Sequence, residues 1–207
     1  MILIGQYDSP FVRRVGIALT LYGIPFEHRP WSVFSDADKI REYNPLTRVP
    51  VLVLDTGLPL IDTHLIIDHI DSLVSDDQVM APRAEPERHQ ALRIAGLASG
   101  LSDKVVSLYY EKALHQPASE VWVERCIGQI TGTLAVLERD RAGREGDYWF
   151  ADRIGHADIA VAAALRHLRD SHPDIPVSRF AALIAHCERL EALTVFQEIS
   201  QPFIPPS

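Results

Sequence analysis

The chain has 207 residues, 47% of them hydrophobic and 23% charged, the make-up of a globular protein long enough to bury a core without disulfides or a metal. Lys and Arg total 20 against 28 Asp and Glu, a net charge of −8 that speaks against nonspecific nucleic-acid or anionic-membrane binding. No apolar run approaches the ~20 residues of a membrane span, the opening MILIGQYDSP lacks the basic segment of a signal peptide, and two cysteines make no disulfide framework, so a cytoplasmic location is expected.

The first third mixes strand and helix signals. Residues 2–4 are a short apolar run that suits a buried strand. Ser9 can cap a helix and Pro10 suits its first position. Phe11, Val15, Ala18, Leu19 and Tyr22 then recur at helical spacing, and Gly23 suits a helix stop. Residues 25–29 read weakly as a strand, and 36–43 as a short helix ended by Asn44–Pro45. The β-branched run 50–54, the turn Asp55-Thr56-Gly57 and the return 58–61 predict a hairpin. Residues 63–73 carry Leu65, Ile66, Ile70 and Leu73 at helical spacing. The predicted order is βαβαββα.

Polar, proline-bearing residues 75–87 read as a linker. Beyond it the periodicity is helical over 88–114, 119–140, 156–170 and 178–190, and the tail ending QPFIPPS is too rich in proline for regular helix. The expected division is 1–76 as a small α/β domain, 77–86 as linker and 87–207 as an all-helical domain.

Three places could hold chemistry. Ser9 opens a helix just after a strand, where the positive helix end and its unpaired N–H groups favour an anion. A hydroxyl there can donate to a thiolate. A thiol of pKa ~8.5 is ~3% ionised at pH 7; a shift of ~2 units makes it ~75%, a differential stabilisation of ~2.7 kcal/mol. Residue type alone favours a plain helix cap, and one residue can do both jobs. Val49–Pro50 enters a strand; a trans bond is the ordinary expectation, whereas a cis bond would turn the Val49 N–H and C=O outward to pair with a peptide-like ligand. At Asp62–Thr63, Thr63 is a candidate helix cap whose helix start can hold a carboxylate, and Asp62 can pair with an ammonium group. Arg13 and Arg14 suit either an interdomain contact or a solvated face. The histidine pairs 64/69 and 167/172 are five apart, off the i,i+4 spacing of a helical zinc motif, so no metal is expected. Cys126 and Cys187 lie in helical segments, where buried filler is the expected role.

SPFVRRVGIAL, NPLTRVPVL and LPLIDTHLIIDHI, in that order and frame, closely resemble the N-terminal, thioredoxin-like domain of the glutathione S-transferase superfamily. YWFADRIGHADIAVAAAL resembles the helical-domain signature of the same family. The resemblance implies a thioredoxin-like α/β domain followed by an all-α domain, and glutathione as co-substrate. Ser9 would hydrogen-bond the glutathione thiolate, Val49 would pair with its cysteinyl portion before a cis Pro50, Asp62 and Thr63 would hold the γ-glutamyl end, and Arg48 would meet the glycyl carboxylate. Some branches use a Tyr at the end of the first strand, which makes Tyr7 the rival of Ser9; the Ser-Pro order favours Ser9. A small electrophile would lie between the domains near Trp31, Phe34, Leu108 and Tyr109. A homodimer is expected from relatives. Many relatives have Glu-Ser where this chain has Asp62–Thr63, and a Ser or Thr where it has Gly155; that glycine removes one half of a capping box, so Asp158 is expected to be structural. The alternatives are a catalytically silent binding or regulatory protein with this fold, and a glutathione-dependent isomerase, peroxidase or dehalogenase.

Overall fold

A computed structural model describes residues 1–150 and 152–205; Ala151 of the helical-domain signature and Pro206–Ser207 of the tail lie outside the described residues. The chain forms two compact units, Met1–Met80 together with the chain from Thr194 onward, and Ala81–Leu193. The division read from the sequence differs here, because it left the last stretch with the helical domain.

The first unit runs β1 (Ile2–Ile4), α1 (Pro10–Leu21), β2 (Glu27–Arg29), α2 (Ala37–Arg41), β3 (Val51–Val53), β4 (Pro59–Ile61) and α3 (Thr63–Asp71), the expected βαβαββα order. The strands form one sheet in the order β2-β1-β3-β4. β2 lies parallel to β1, which the α1 crossover requires, and β3 and β4 are antiparallel to their neighbours. Alternation sorts the short strands into two faces. Ile4, Val51 and Val53 pack with Ile40 of α2, and Trp31, Val33 and Tyr43 close over them. Leu3 and Leu52, partners in the register and fully buried, point to the other face, where α1 and α3 pack side by side.

The buried face of α3 differs from the expected one. Leu65 and Leu73 are exposed, and the inward stripe is Thr63, Ile66, Ile67 and Ile70. That i, i+3, i+4, i+7 set is the one a helix can bury together. Arg13 and Arg14 also depart from the solvated-face reading, at 3% and 4% exposure.

The second unit contains α4 (Glu87–Leu114), α5 (Glu120–Ala142), α6 (His156–Ser171) and α7 (Ala181–Glu191), and among the described residues it has no strand. α6 is its centre, packed against α4 and α7. The run Ala162-Ala163-Ala164 is wholly buried there, small side chains letting neighbouring helices approach. The start of α6 is tied down by Asp158. Its carboxylate accepts from the Gly155 N–H at 2.8 Å and the Trp149 N–H at 2.9 Å, and His186 Nε2 of α7 lies 3.1 Å away. Gly155 offers no reciprocal side-chain bond, so half of a capping box is present. A further helix, α8 (Thr194–Glu198), precedes the proline-rich tail and belongs to the first unit.

Candidate functional site

α1 begins at Pro10, and Ser9 is its N-cap with extended backbone (φ −68°, ψ 122°). The Val12 N–H donates to Ser9 Oγ at 3.5 Å, the outer limit of a useful hydrogen bond. The cap bond is therefore weak, and it uses the oxygen as acceptor only; the hydroxyl proton remains available to donate. Ser9 is half-buried, so a ligand can reach it.

Tyr7 is placed differently. Its ring is buried and stacked on His28, centroids 3.8 Å apart and 11° from parallel. Burial pushes its hydroxyl up to about 12. On the α1 side the ring abuts Gly16, where an added Cβ would come within 2.9 Å of a ring carbon. His28 Nε2 lies 2.8 Å from the Gly5 carbonyl, so the stacked pair closes off the end of β1.

Gly5 was not picked out by any sequence motif, yet it draws the site together. Its φ of +128° is a glycine conformation, and a Cβ there would meet Val12 Cγ2 at 2.5 Å and Val49 Cβ at 2.8 Å. The first turn of α1 and the approach to β3 thus converge on one residue. The Val49–Pro50 peptide is cis. Val49 lies outside the β1–β3 ladder, and its N–H and C=O make no turn or loop backbone hydrogen bond among the described residues. The loop before it is held by Asn44, a buried amide that donates to the Arg48 carbonyl at 2.8 Å and accepts from the Leu46 N–H at 3.0 Å. Arg48 itself is exposed.

At the start of α3 the cap is Asp62, not Thr63. Asp62 has φ +71° and accepts from the His64 N–H at 2.9 Å, whereas Thr63 is already helical and buried. A carboxylate is the better acceptor at a positive helix end, and it leaves Asp62 exposed. Arg14 links this corner to α1. Burial lowers its guanidinium to about 10, and the nearby carboxylates of Asp71 and Asp62 oppose that shift.

The four residues expected near a second substrate are spread over both units. Trp31 is half-buried against the Ile4 cluster, with Arg29 and Lys39 each 5.6 Å from its ring, and Phe34 is half-buried nearby in sequence. Tyr109 meets Tyr110 and His172 edge-on. Leu108 is a correction: it is 0% exposed in the core of the helical unit and has no surface to offer a ligand. Its position in α4 turns it inward, one residue before the half-buried Tyr109. Cys126 and Cys187 are buried and free, and burial raises the Cys187 thiol, so Cys187 is not poised as a thiolate.

The first unit therefore presents a helix N-terminus with a spare hydroxyl proton, an unpaired strand approach beside it and an exposed carboxylate at a second helix start. That set suits a peptide-like ligand with an anionic centre and an ammonium end.

The family model for "Glutathione S-transferase, N-terminal domain" matches residues 3–78, and that for "Glutathione S-transferase, C-terminal domain" matches residues 120–189. The uncharacterized GST-like protein YibF of Escherichia coli (strain K12) is 33% identical over 172 residues, 81% of this chain and 82% of its own length. Glutathione S-transferase U4 of Arabidopsis thaliana is 26% identical over 97% of this chain and 88% of its own. Among solved structures, a glutathione S-transferase from Methylobacterium radiotolerans in complex with glutathione sulfonate has a TM-score of 0.89 at 28% identity, covering 98% of this chain and 97% of that one. A glutathione transferase family member from Pseudomonas fluorescens Pf-5 with bound glutathione has a TM-score of 0.84 at 28% identity, covering 98% and 99%.

Proposed function

Since the chain belongs to the glutathione S-transferase superfamily, we propose that it binds glutathione on its first unit and directs the bound thiolate at electrophilic small molecules. The observation that carries this reading is the Ser9 hydroxyl, set at the start of the 12-residue helix α1 with its cap bond stretched to 3.5 Å.

Ser9 donates to the sulfur, and the positive end of α1 favours the anion. A helix terminus contributes up to ~2 kcal/mol to a nearby charge, and a hydrogen bond to a charged group ~1.5–3 kcal/mol. Together these reach the ~2.7 kcal/mol that lowers a thiol pKa by ~2 units. The thiol proton leaves to solvent, the sulfur lone pair forms the S–C bond, and the leaving group departs with the electron pair of the bond it breaks. Val49 pairs its backbone with the cysteinyl portion, in the manner of an added strand. Asp62 takes the γ-glutamyl ammonium, the N–H groups opening α3 at Thr63 take its carboxylate, and Arg48 takes the glycyl carboxylate. Tyr7 stays structural, since its ring is committed to the His28 stack. Holding thiolate and electrophile together supplies the rest of the rate. The related structures holding glutathione sulfonate and glutathione support the ligand.

Calorimetric titration with glutathione, followed by an assay of thiol transfer to 1-chloro-2,4-dinitrobenzene, tests this. Saturable binding with transfer is the expected result. Binding without transfer to any of a panel of electrophiles points to a silent binding protein, and no binding overturns the proposal.

A further inference from the structure

We infer that the segment following α8 is a positioning element for Ser9, acting through Gln201 and Asp8; this rests on the thiolate-donor role proposed for Ser9. Ser9 is poorly fixed by its own cap bond, as the 3.5 Å separation from the Val12 N–H shows. Its placement depends on the turn at residues 6–9, in which the Ser9 N–H donates to the Gln6 carbonyl at 3.2 Å. Two side-chain bonds from chain positions nearly 200 residues away hold that turn. The Tyr7 N–H donates to Gln201 Oε1 at 2.8 Å, and the Ile204 N–H donates to Asp8 Oδ2 at 3.0 Å.

The segment is itself anchored to α1. Arg13, buried beneath it, donates from Nε to the Ile199 carbonyl and from a terminal nitrogen to the Phe196 carbonyl, each at 2.8 Å, and its guanidinium lies 5.6 Å from the Phe196 ring. Gly16 leaves the room this packing needs: a Cβ there would come within 2.9 Å of both Ile199 Cγ2 and the Tyr7 ring. Arg13, Ile199 and Phe196 fix the segment on the helix, and Gln201 and Asp8 pass that constraint to the residues either side of Ser9. A donor displaced by ~1 Å can lose ~10²-fold in rate. Gln201 and Asp8 are positioning residues and are not assigned to touch substrate.

The test compares full-length Gln201→Leu, Asp8→Ala and Asp8→Asn with the native chain. It reads kcat and KM for glutathione with 1-chloro-2,4-dinitrobenzene, the pH midpoint of bound-thiol ionisation by ultraviolet absorbance, and the thermal midpoint. Gln201→Leu is expected to lower kcat about tenfold and raise the ionisation midpoint, with KM held within about twofold. Asp8→Ala is expected to lower kcat about threefold, and Asp8→Asn, which keeps an acceptor for the Ile204 N–H, to recover it. Removing a negative charge near the sulfur would by itself favour the thiolate, so a loss in Asp8→Ala that Asp8→Asn repairs belongs to the hydrogen bond. Native kcat and ionisation in Gln201→Leu and Asp8→Ala overturn the inference, as does a loss that follows the thermal midpoint alone or is equal in Asp8→Asn. If the native chain itself binds glutathione without lowering its ionisation midpoint, the reading of Ser9 fails and this inference fails with it.

Discussion

Among the helix starts that carry polar side chains, those of α1 and α6 serve opposite ends. At α6, Asp158 is 1% exposed and its carboxylate takes two backbone N–H groups at 2.8 and 2.9 Å with a histidine nitrogen at 3.1 Å. At α1, Ser9 is half-buried and its oxygen takes one N–H at 3.5 Å. The first side chain has each of its oxygens taken up by a backbone N–H group, so it holds the fold. The second has hydrogen-bonding capacity left over. Between these two helix starts, hydrogen-bond saturation separates the cap that serves the fold from the one that can serve a ligand.

The largest expected effect breaks the saturated end. Asp158→Ala leaves the Gly155 and Trp149 N–H groups without their shared partner. It should cost ~3–5 kcal/mol in urea unfolding, with glutathione affinity of the folded protein kept within about twofold. Next is the open end: Ser9→Ala should lower kcat/KM by about 10²-fold while costing at most ~1 kcal/mol of stability. Tyr7→Phe should leave activity within a few fold; if it is the inactive variant and Ser9→Ala is not, the assignment passes to Tyr7.

A smaller effect concerns pH. Burial keeps His28 and His172 below the ordinary histidine range, against the hydrogen bonds to Gly5 and Val105 that pull the other way. The unfolded chain therefore takes up protons at these sites that the folded one does not, and stability falls as pH drops below about 6.5. The thermal midpoint should decline from pH 7 to 5.5, and His28→Phe should flatten that decline. The smallest change sharpens the comparison from the structural side. Gly155→Ser supplies the missing half of the capping box, and the extended backbone there (φ −127°, ψ 171°) accepts a side chain, so a gain of a few tenths of a kcal/mol is expected in the same unfolding assay.

What the sequence made legible was local. The hairpin at 50–61, the punctuation by Ser9–Pro10 and the half box at Gly155–Asp158 each lie within a few residues, where turn chemistry and periodicity operate. α8 was hidden because a five-residue helix is barely more than one turn and shows no period. The burial of Arg13 could not be read because its partners, the carbonyls of Phe196 and Ile199, lie more than 180 residues on. The inward stripe of α3 was misread because Leu65 and Leu73 are as apolar as Ile67, and Thr63 less so; only packing shows which side faces the sheet. Gly5 carried no motif, since its role comes from two chain segments crossing it.

The central claim is that the start of α1 stabilises a sulfur anion, and a pH titration of thiolate absorbance in the glutathione complex tests it most directly. The account predicts a midpoint ~2 units below the ~8.5 of a free thiol, moving back toward the free value in Ser9→Ala. A saturated native complex that ionises at the same pH as free glutathione would contradict it.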